Sequence, residues 1–90
     1  MEEKKYEKDI DACLEDFGGY VQRMRRKKGL TFEALAEVTN LSPSFLYRLE
    51  RNYRGCTLSN KVIILLDGFG WSKGEVLAYL EKVIGMSTLN

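Results

Sequence analysis

Residues 31–51, TFEALAEVTNLSPSFLYRLER, decide the fold of this 90-residue chain. The first half places Leu35, Ala36 and Val38 at helical spacing, which predicts one apolar face of a short amphipathic helix. Thr31 is a suitable N-cap, because its hydroxyl can accept a hydrogen bond from a free backbone N–H of the first turn. The segment is therefore predicted to begin with a helix that packs one face against a core.

A tight turn and a second helix follow directly. Asn40 tolerates the left-handed backbone conformation that commonly ends a helix. Ser42 is a strong N-cap, and Pro43 suits the first helical position, where a missing N–H costs nothing. Leu46 and Leu49 continue the apolar stripe. The sequence therefore predicts two short helices joined by a turn and packed against one core.

The two predicted helices resemble the helix-turn-helix of the Cro/Xre family of lambda-repressor-like DNA-binding proteins. Ala36 stands where that family has a small residue between the helices, and Asn40 stands where it has the Gly or Asn of the turn. The other matching positions are Arg25, Gly29, Leu30, Thr31, Leu41, Leu46, Leu49 and Glu50. Agreement at this many positions is more specific than one short motif. The resemblance covers residues 17–84 and implies an all-α, five-helix domain, to which this chain adds an N-terminal helix.

The same resemblance implies a sequence-specific transcriptional regulator of double-stranded DNA, with a repressor as the expected type. In the family, the second helix of the motif lies in the major groove with its outward side chains at base edges. The corresponding base-contacting residues are Pro43, Ser44, Tyr47 and Arg48. Arg48 is the main candidate, because its planar fork can bind guanine O6 and N7 together. Pro43 departs from the polar residue common at its position, which removes one hydrogen-bonding side chain.

Contacts with the DNA backbone are expected at the start of the first motif helix and in the loop after the second. The expected phosphate-contacting residues are Phe32, Glu33, Arg51, Asn52 and Arg54. Arg25 and Glu50 correspond to an ion pair that, in the family, ties the preceding helix to the recognition helix. The resemblance therefore assigns Arg25 and Glu50 to structure rather than to DNA contact.

The charge of the chain is unevenly distributed, although its net value is only +1. Residues 1–16 hold seven acids and three bases, and residues 17–61 hold nine bases and three acids. The local charges are therefore −4 and +6, with −1 in the remainder. The basic excess coincides with the motif, as expected of a surface that attracts phosphate.

Several other classes of protein are disfavoured by the residues present. The chain has no His, no Gly-rich phosphate loop and no paired-Cys ligand set, so the sequence predicts neither an enzyme nor a cofactor or metal site. Cys13 and Cys56 are expected to be free thiols. No apolar run is long enough to span a bilayer, and the charged N-terminus is unlike a signal peptide. No membrane contact and a cytoplasmic location are therefore expected.

The chain is predicted to divide into three parts. Residues 1–16 are expected to form an acidic helical extension, with a helix over 6–15 and a frayed start over 1–5. Residues 17–84 are expected to form the DNA-binding domain, and residues 85–90 a loose tail. Beyond the motif, helices are expected at 17–28, at 58–69, and from a Ser72–Glu75 capping box to Ile84, with Gly85 ending the last. Gly18 and Gly19 indicate either a break in the leading helix or a close approach.

Apolar residues beyond the motif predict which faces are buried. The expected inward stripes are Tyr6, Ile10, Cys13, Leu14 and Phe17; Leu58, Val62, Leu65, Leu66 and Phe69; and Val76, Leu77, Leu80, Val83 and Ile84. Ile63 and Ile64 widen the apolar surface, and the N-terminal helix or a second subunit should cover them. A homodimer is expected around Ile63, Ile64, Tyr79 and Val83, because two-fold operators require two-fold proteins.

A second function remains open at this stage. The same fold can serve as a protein–protein interaction module without specific DNA binding. Its contact would be the acidic N-terminal helix or the Ile63/Ile64 surface. The low net charge and Pro43 favour this alternative, whereas the local charge of +6 and the intact motif favour DNA.

Overall fold

The computed structural model describes the backbone of residues 2–89 and the side chains of residues 8–86. Within that range every regular element is helical and none is a strand, which confirms the all-α prediction. The elements are α1 (Glu2–Glu15), α2 (Phe17–Lys27), α3 (Phe32–Thr39), α4 (Pro43–Glu50), α5 (Leu58–Ile63), a π-helix (Ile64–Gly68) and α6 (Lys73–Leu89). None of these helices has the length and apolar character needed to cross a bilayer.

Helix starts are set by side chains that the sequence places at N-caps. Four cap side chains accept a hydrogen bond from the backbone N–H three residues on: Asp16, Thr31, Ser42 and Thr57. At α6 the cap is reciprocal: Ser72 N–H donates to Glu75 Oε1 at 2.8 Å, and Glu75 N–H donates to Ser72 Oγ at 3.1 Å. The predicted capping box is therefore confirmed.

An aromatic cluster joins α2 to the start of α6. The Tyr20 ring meets Phe69 and Trp71 edge-on, at centroid distances of 6.1 and 6.2 Å. Trp71 packs in the same way against Tyr79 at 6.4 Å, and its Nε1–H donates to Tyr20 Oη at 3.3 Å. Burial raises the pKa of Tyr20 and raises that of Tyr79 to about 12. This cluster links α6 to α2 through the rings of Trp71 and Tyr20.

The N-terminal helix covers core rather than extending into solvent. Ile10 and Cys13 are each only 2% exposed, and α1 packs against α2 and α6. Lys82 Nζ lies 3.8 Å from Asp11 Oδ1 at the surface of that contact. Helix α1 begins at Glu2, so the prediction of a frayed start over 1–5 is wrong for Glu2–Lys5. Met1 and the side chain of Tyr6 lie outside the described part of the chain.

A π-helix follows α5, and its first two residues belong to the core. Phe69 N–H donates to Ile64 O, five residues back, at 3.0 Å. Ile64 and Leu65, at the start of this wider turn, are both fully buried, whereas Leu58, at the start of α5, is 43% exposed. The predicted apolar surface at Ile63 and Ile64 is therefore wrong for Ile64, and Ile63 is half-buried.

Helix α6 also differs from the prediction. Gly85 does not end it, because an interior glycine costs a helix only about 1 kcal/mol relative to alanine. The predicted loose tail is therefore helical as far as Leu89, and Asn90 lies outside the described residues. Leu77 and Ile84 are 60% and 61% exposed, whereas Tyr79 is 1% exposed and cannot form a dimer surface.

Candidate DNA interface

The turn between α3 and α4 has the predicted geometry. Asn40 adopts the left-handed conformation, with φ 59° and ψ 29°. Ala36 is buried where the helices meet, and Leu41 packs against the core. Thr39 Oγ donates to Leu35 O at 2.7 Å, which satisfies its buried hydroxyl. Val38, predicted on the inner face, is 51% exposed, because the core contacts of this short helix fall on Leu35, Ala36 and Thr39.

Gly18 allows α2 to cross α4 at backbone distance. A Cβ added there would lie 2.2 Å from Leu49 O and 2.9 Å from Asn52 Oδ1. At Gly19 an added Cβ would lie 2.4 Å from Asp16 Oδ2, part of the carboxylate that caps α2. Helix α2 is continuous from Phe17, so the two glycines mark close approach rather than a break.

A nearly buried ion pair fixes the C-terminal end of α4 against α2. Arg25 Nε and Nη2 donate to the two carboxylate oxygens of Glu50, at 2.6 and 3.1 Å. Arg25 Nη1 also donates to Leu30 O at 2.9 Å. The two side chains are 13% and 2% exposed, and the hydrogen bonds to Glu50 raise the pKa of Arg25 further. This bidentate geometry ties three segments together around α4.

A stack of rings and guanidinium groups runs from this pair to the surface. The Arg25 guanidinium lies 4.0 Å from the centroid of the Phe32 ring, and Phe32 meets Tyr47 at 5.8 Å and 65°. The Arg51 guanidinium lies 4.4 Å from the Tyr47 centroid. The Phe32 side chain therefore supports α4, and only its backbone N–H is left for the predicted phosphate contact. Sequence reasoning missed this stack, because its members come from three helices and one helix end.

The predicted base-contacting residues lie on the solvent side of α4. Ser44 and Arg48 are exposed, Tyr47 is 43% exposed, and Pro43 occupies the first helical position. On the opposite side, Leu46 and Leu49 are 0% and 3% exposed and anchor the helix in the core. The helix thus presents one polar and basic face to solvent.

The predicted phosphate-contacting residues fall on two sides of that face. Phe32 and Glu33 lie in the first turn of α3, where backbone N–H groups have no partner within the helix. Arg51, Asn52 and Arg54 are exposed in the segment after α4. Within that segment, Tyr53 N–H donates to Arg48 O at 2.9 Å and Asn52 has φ 60°. The chain therefore turns back beside α4 instead of leaving it.

Phe45 is a further residue of this face, at the edge between the core and solvent, and it is not among the predicted DNA-contacting residues. Its ring is half-buried against the core, and the Arg54 guanidinium lies 5.2 Å from its centroid. The two residues are nine positions apart and meet only because the chain turns back after α4. No spacing pattern within one helix indicates such a contact.

The two cysteines are free thiols. Cys13 is buried and Cys56 is half-buried. Burial raises the pKa of Cys13 to about 12 and also raises that of Cys56, so both thiols stay protonated at neutral pH. Among the side chains that the structure describes, no group of three His, Cys, Asp or Glu residues could hold a metal.

Comparison with known proteins agrees with this geometry. A family model described as a helix-turn-helix domain matches residues 16–79, well over half of the chain. The match includes the turn at Asn40, the whole of α4 and the Arg25–Glu50 pair. Searches of curated proteins and of solved structures returned no match. On the extent of the family match, the chain belongs to the helix-turn-helix domain family, a family of DNA-binding regulatory domains.

Proposed function

We propose that this protein is a sequence-specific transcriptional regulator that binds double-stranded DNA as a homodimer and acts as a repressor. Helix α4 lies in the major groove, with Ser44, Tyr47 and Arg48 at base edges and Pro43 at the groove entrance. The observation that supports this most is the exposed face of α4, which the buried Arg25–Glu50 pair holds in place from behind.

The charge of the face supports binding to phosphate. Arg48, Arg51 and Arg54 are exposed, and none of them forms a salt bridge with an acid among residues 8–86. Three unpaired guanidinium groups around one short helix provide a local positive potential that is strong at low salt. Each phosphate they neutralise steepens the salt dependence of binding, because bound counterions leave the DNA.

Dimerisation is proposed because one α4 contacts too few bases to specify a site. Two copies related by a two-fold axis would place their α4 helices about 34 Å apart, one turn of DNA. Ile64 and Tyr79 are buried and unsuitable for the contact, so the proposed interface uses the exposed apolar residues of α6, Leu77 and Ile84.

The repressor role is proposed from the Cro/Xre resemblance. The cytoplasmic location stays a prediction, as does the division of the chain at residues 16 and 84.

The experiment that tests this function is selection of bound duplexes from a random pool, followed by titration of the selected site at several salt concentrations. The expected result is an enriched sequence with two-fold symmetry, and an affinity that falls steeply with salt. Failure to enrich any sequence, together with equal binding of selected and scrambled duplexes, would contradict sequence-specific regulation.

The interaction-module alternative keeps one supporting observation. Helix α6 exposes Leu77 and Ile84, and apolar side chains exposed on one helix often mark a protein contact. The two functions predict different effects of mutation. If the protein is a DNA-binding regulator, removal of Arg48 should reduce its discrimination between DNA sites; if it is an interaction module, removal of Arg48 should leave partner binding unchanged. The selection experiment with the Arg48→Ala variant separates them.

A further inference from the structure

A recess opens between the N-terminal end of α4 and the segment that follows α4. It has a volume of about 190 Å³ and is lined by Ser42, Ser44, Phe45, Arg48 and Arg54. The recess lies on the same side as the exposed face of α4 and is open to solvent. Its lining combines residues that sequence reasoning assigned to base contact with one assigned to phosphate contact.

The polar groups around the recess are suited to a negatively charged oxygen ligand. Two guanidinium groups contribute only hydrogen-bond donors, and the hydroxyls of Ser42 and Ser44 can each donate one more. No lining residue carries a carboxylate, and the two salt bridges found among residues 8–86 involve neither Arg48 nor Arg54. The Ser42 oxygen accepts the N–H of Phe45 at 3.1 Å, and its own O–H is still available as a donor. The recess is therefore suited to bind an oxyanion, such as a phosphate group.

Phe45 fixes one of the two guanidinium groups before any ligand arrives. Its ring packs partly against the core, and the Arg54 guanidinium lies over the ring at 5.2 Å from its centroid. A cation over an aromatic face at this distance is attracted to it, and a flexible arginine so held loses less entropy on binding. Arg48 reaches the recess from α4 itself, so its position depends on the helix rather than on Phe45.

We propose that this recess binds one phosphate of the DNA backbone, with Arg54 as its main ligand and Phe45 as the residue that positions Arg54. The inference rests on the proposed function and names one contact within it. Seating a phosphate beside Ser44 fixes the register of α4 in the groove and leaves the end of the Arg48 side chain directed at the neighbouring base. Phe45 is thus a positioning residue that touches no DNA.

The test uses the duplex selected by the full-length protein, prepared as a series in which one phosphate at a time is replaced by a neutral methylphosphonate. Binding of each duplex is measured for the unmodified protein and for Arg54→Ala, Phe45→Leu, Phe45→Tyr and the Phe45→Leu/Arg54→Ala double variant. Arg51→Ala serves as the matched control, since Arg51 lies over Tyr47 and does not line the recess. Thermal unfolding of each variant is recorded alongside.

One methylphosphonate position in each half-site should weaken binding by the unmodified protein and by Arg51→Ala, but not by Arg54→Ala. Phe45→Leu should lose about two- to five-fold in affinity, the range of an exposed cation–ring contact. The double variant should bind no worse than Arg54→Ala, and Phe45→Tyr, which keeps an aromatic face, should restore affinity.

Four results would overturn the inference. Additive losses in the double variant, or a Phe45→Tyr protein as weak as Phe45→Leu, would remove Phe45 as the positioning residue while leaving DNA binding intact. If no single phosphate is sensitive, and inorganic phosphate at constant ionic strength instead shifts the NMR signal of Arg54 Nε, the oxyanion is free phosphate and not DNA. If no duplex is selected at all, the proposed function fails and this contact fails with it.

Discussion

Arg25 Nε lies 2.6 Å from Glu50 Oε2, and this contact joins α2 to the last residue of α4. Glu50 is 2% exposed at its side chain, so its charge is compensated by Arg25 rather than by water. The helix that presents Ser44, Tyr47 and Arg48 is therefore held at one end by an ion pair and along its length by Leu46 and Leu49. The residues that anchor α4 in the core and the residues proposed to contact DNA therefore lie largely on opposite sides of this eight-residue helix.

Replacing Arg25 with methionine should destabilise the fold clearly more than the same change at Arg26. Arg25→Met leaves the Glu50 charge buried without a partner, which costs about 3 kcal/mol, whereas Arg26 is exposed and forms no salt bridge among residues 8–86. Urea denaturation followed by the fluorescence of buried Trp71 measures both variants. Equal unfolding free energies would show that the pair does not stabilise the fold.

Gly18→Ala should destabilise the protein, and Gly55→Ala should not. An added Cβ at Gly18 would meet Leu49 O at 2.2 Å, a backbone atom that can move only with α4, whereas a Cβ added at Gly55 would meet no such atom within 4 Å. Overpacking of this kind costs about 1–3 kcal/mol. Thermal unfolding of both variants checks the prediction. Because the added Cβ would displace α4, Gly18→Ala should also bind DNA more weakly than the unmodified protein. Matching melting temperatures for the two would contradict it.

Arg48→Ala should lose discrimination between DNA sites rather than general affinity. A bidentate contact with guanine contributes about 1–3 kcal/mol on the selected site and much less on scrambled DNA. Affinities are measured on both duplexes at two salt concentrations, because backbone contacts also change the salt dependence. A loss by the same factor on both duplexes would refute Arg48 as the base-contacting residue.

Stability should decline in alkaline solution through the Cys13 thiol. Burial raises the pKa of Cys13 from 9.0 to about 12, so the folded protein keeps this proton to a higher pH than the unfolded chain. The contribution of the protonated thiol to the free energy of unfolding is fully present below pH 9.0, and it is lost as the pH rises towards about 12. Denaturation at a series of pH values should show a shallower decline for Cys13→Ala. Identical pH slopes would exclude this role for the thiol.

Charged substitutions on α6 should dissociate the proposed dimer. Leu77→Glu and Ile84→Glu introduce charge at residues that are 60% and 61% exposed, so they should leave the core intact. Val38→Glu is the control, because Val38 is 51% exposed but lies on α3. Sedimentation equilibrium, with and without the selected duplex, measures the mass. A monomer at every concentration for the unmodified protein would instead remove the dimer from the proposed function.

Much of the local structure could be predicted from neighbouring residues. Ser42 begins α4 because its side chain and the N–H it accepts lie in one turn, and Asn40 ends α3 because its own backbone tolerates positive φ. Such interactions span four residues or fewer, so the sequence displays them directly. The resemblance that pointed to Arg25 and Glu50 added one long-range pair to these local features.

What only the tertiary structure decided is which distant residues meet. Periodicity left open whether the N-terminal helix or a second subunit covers Ile64, whereas in the fold Ile64 is fully buried in a π-helix (Ile64–Gly68) that packs against α3 and α6. Phe45 meets Arg54 because the chain turns back after α4, and Gly18 is required because α2 crosses α4 at Leu49. The physical reason is the same in each case: hydrophobic periodicity specifies the faces of one helix, whereas contacts between elements depend on crossing geometry and loop path, which are settled by packing the whole chain.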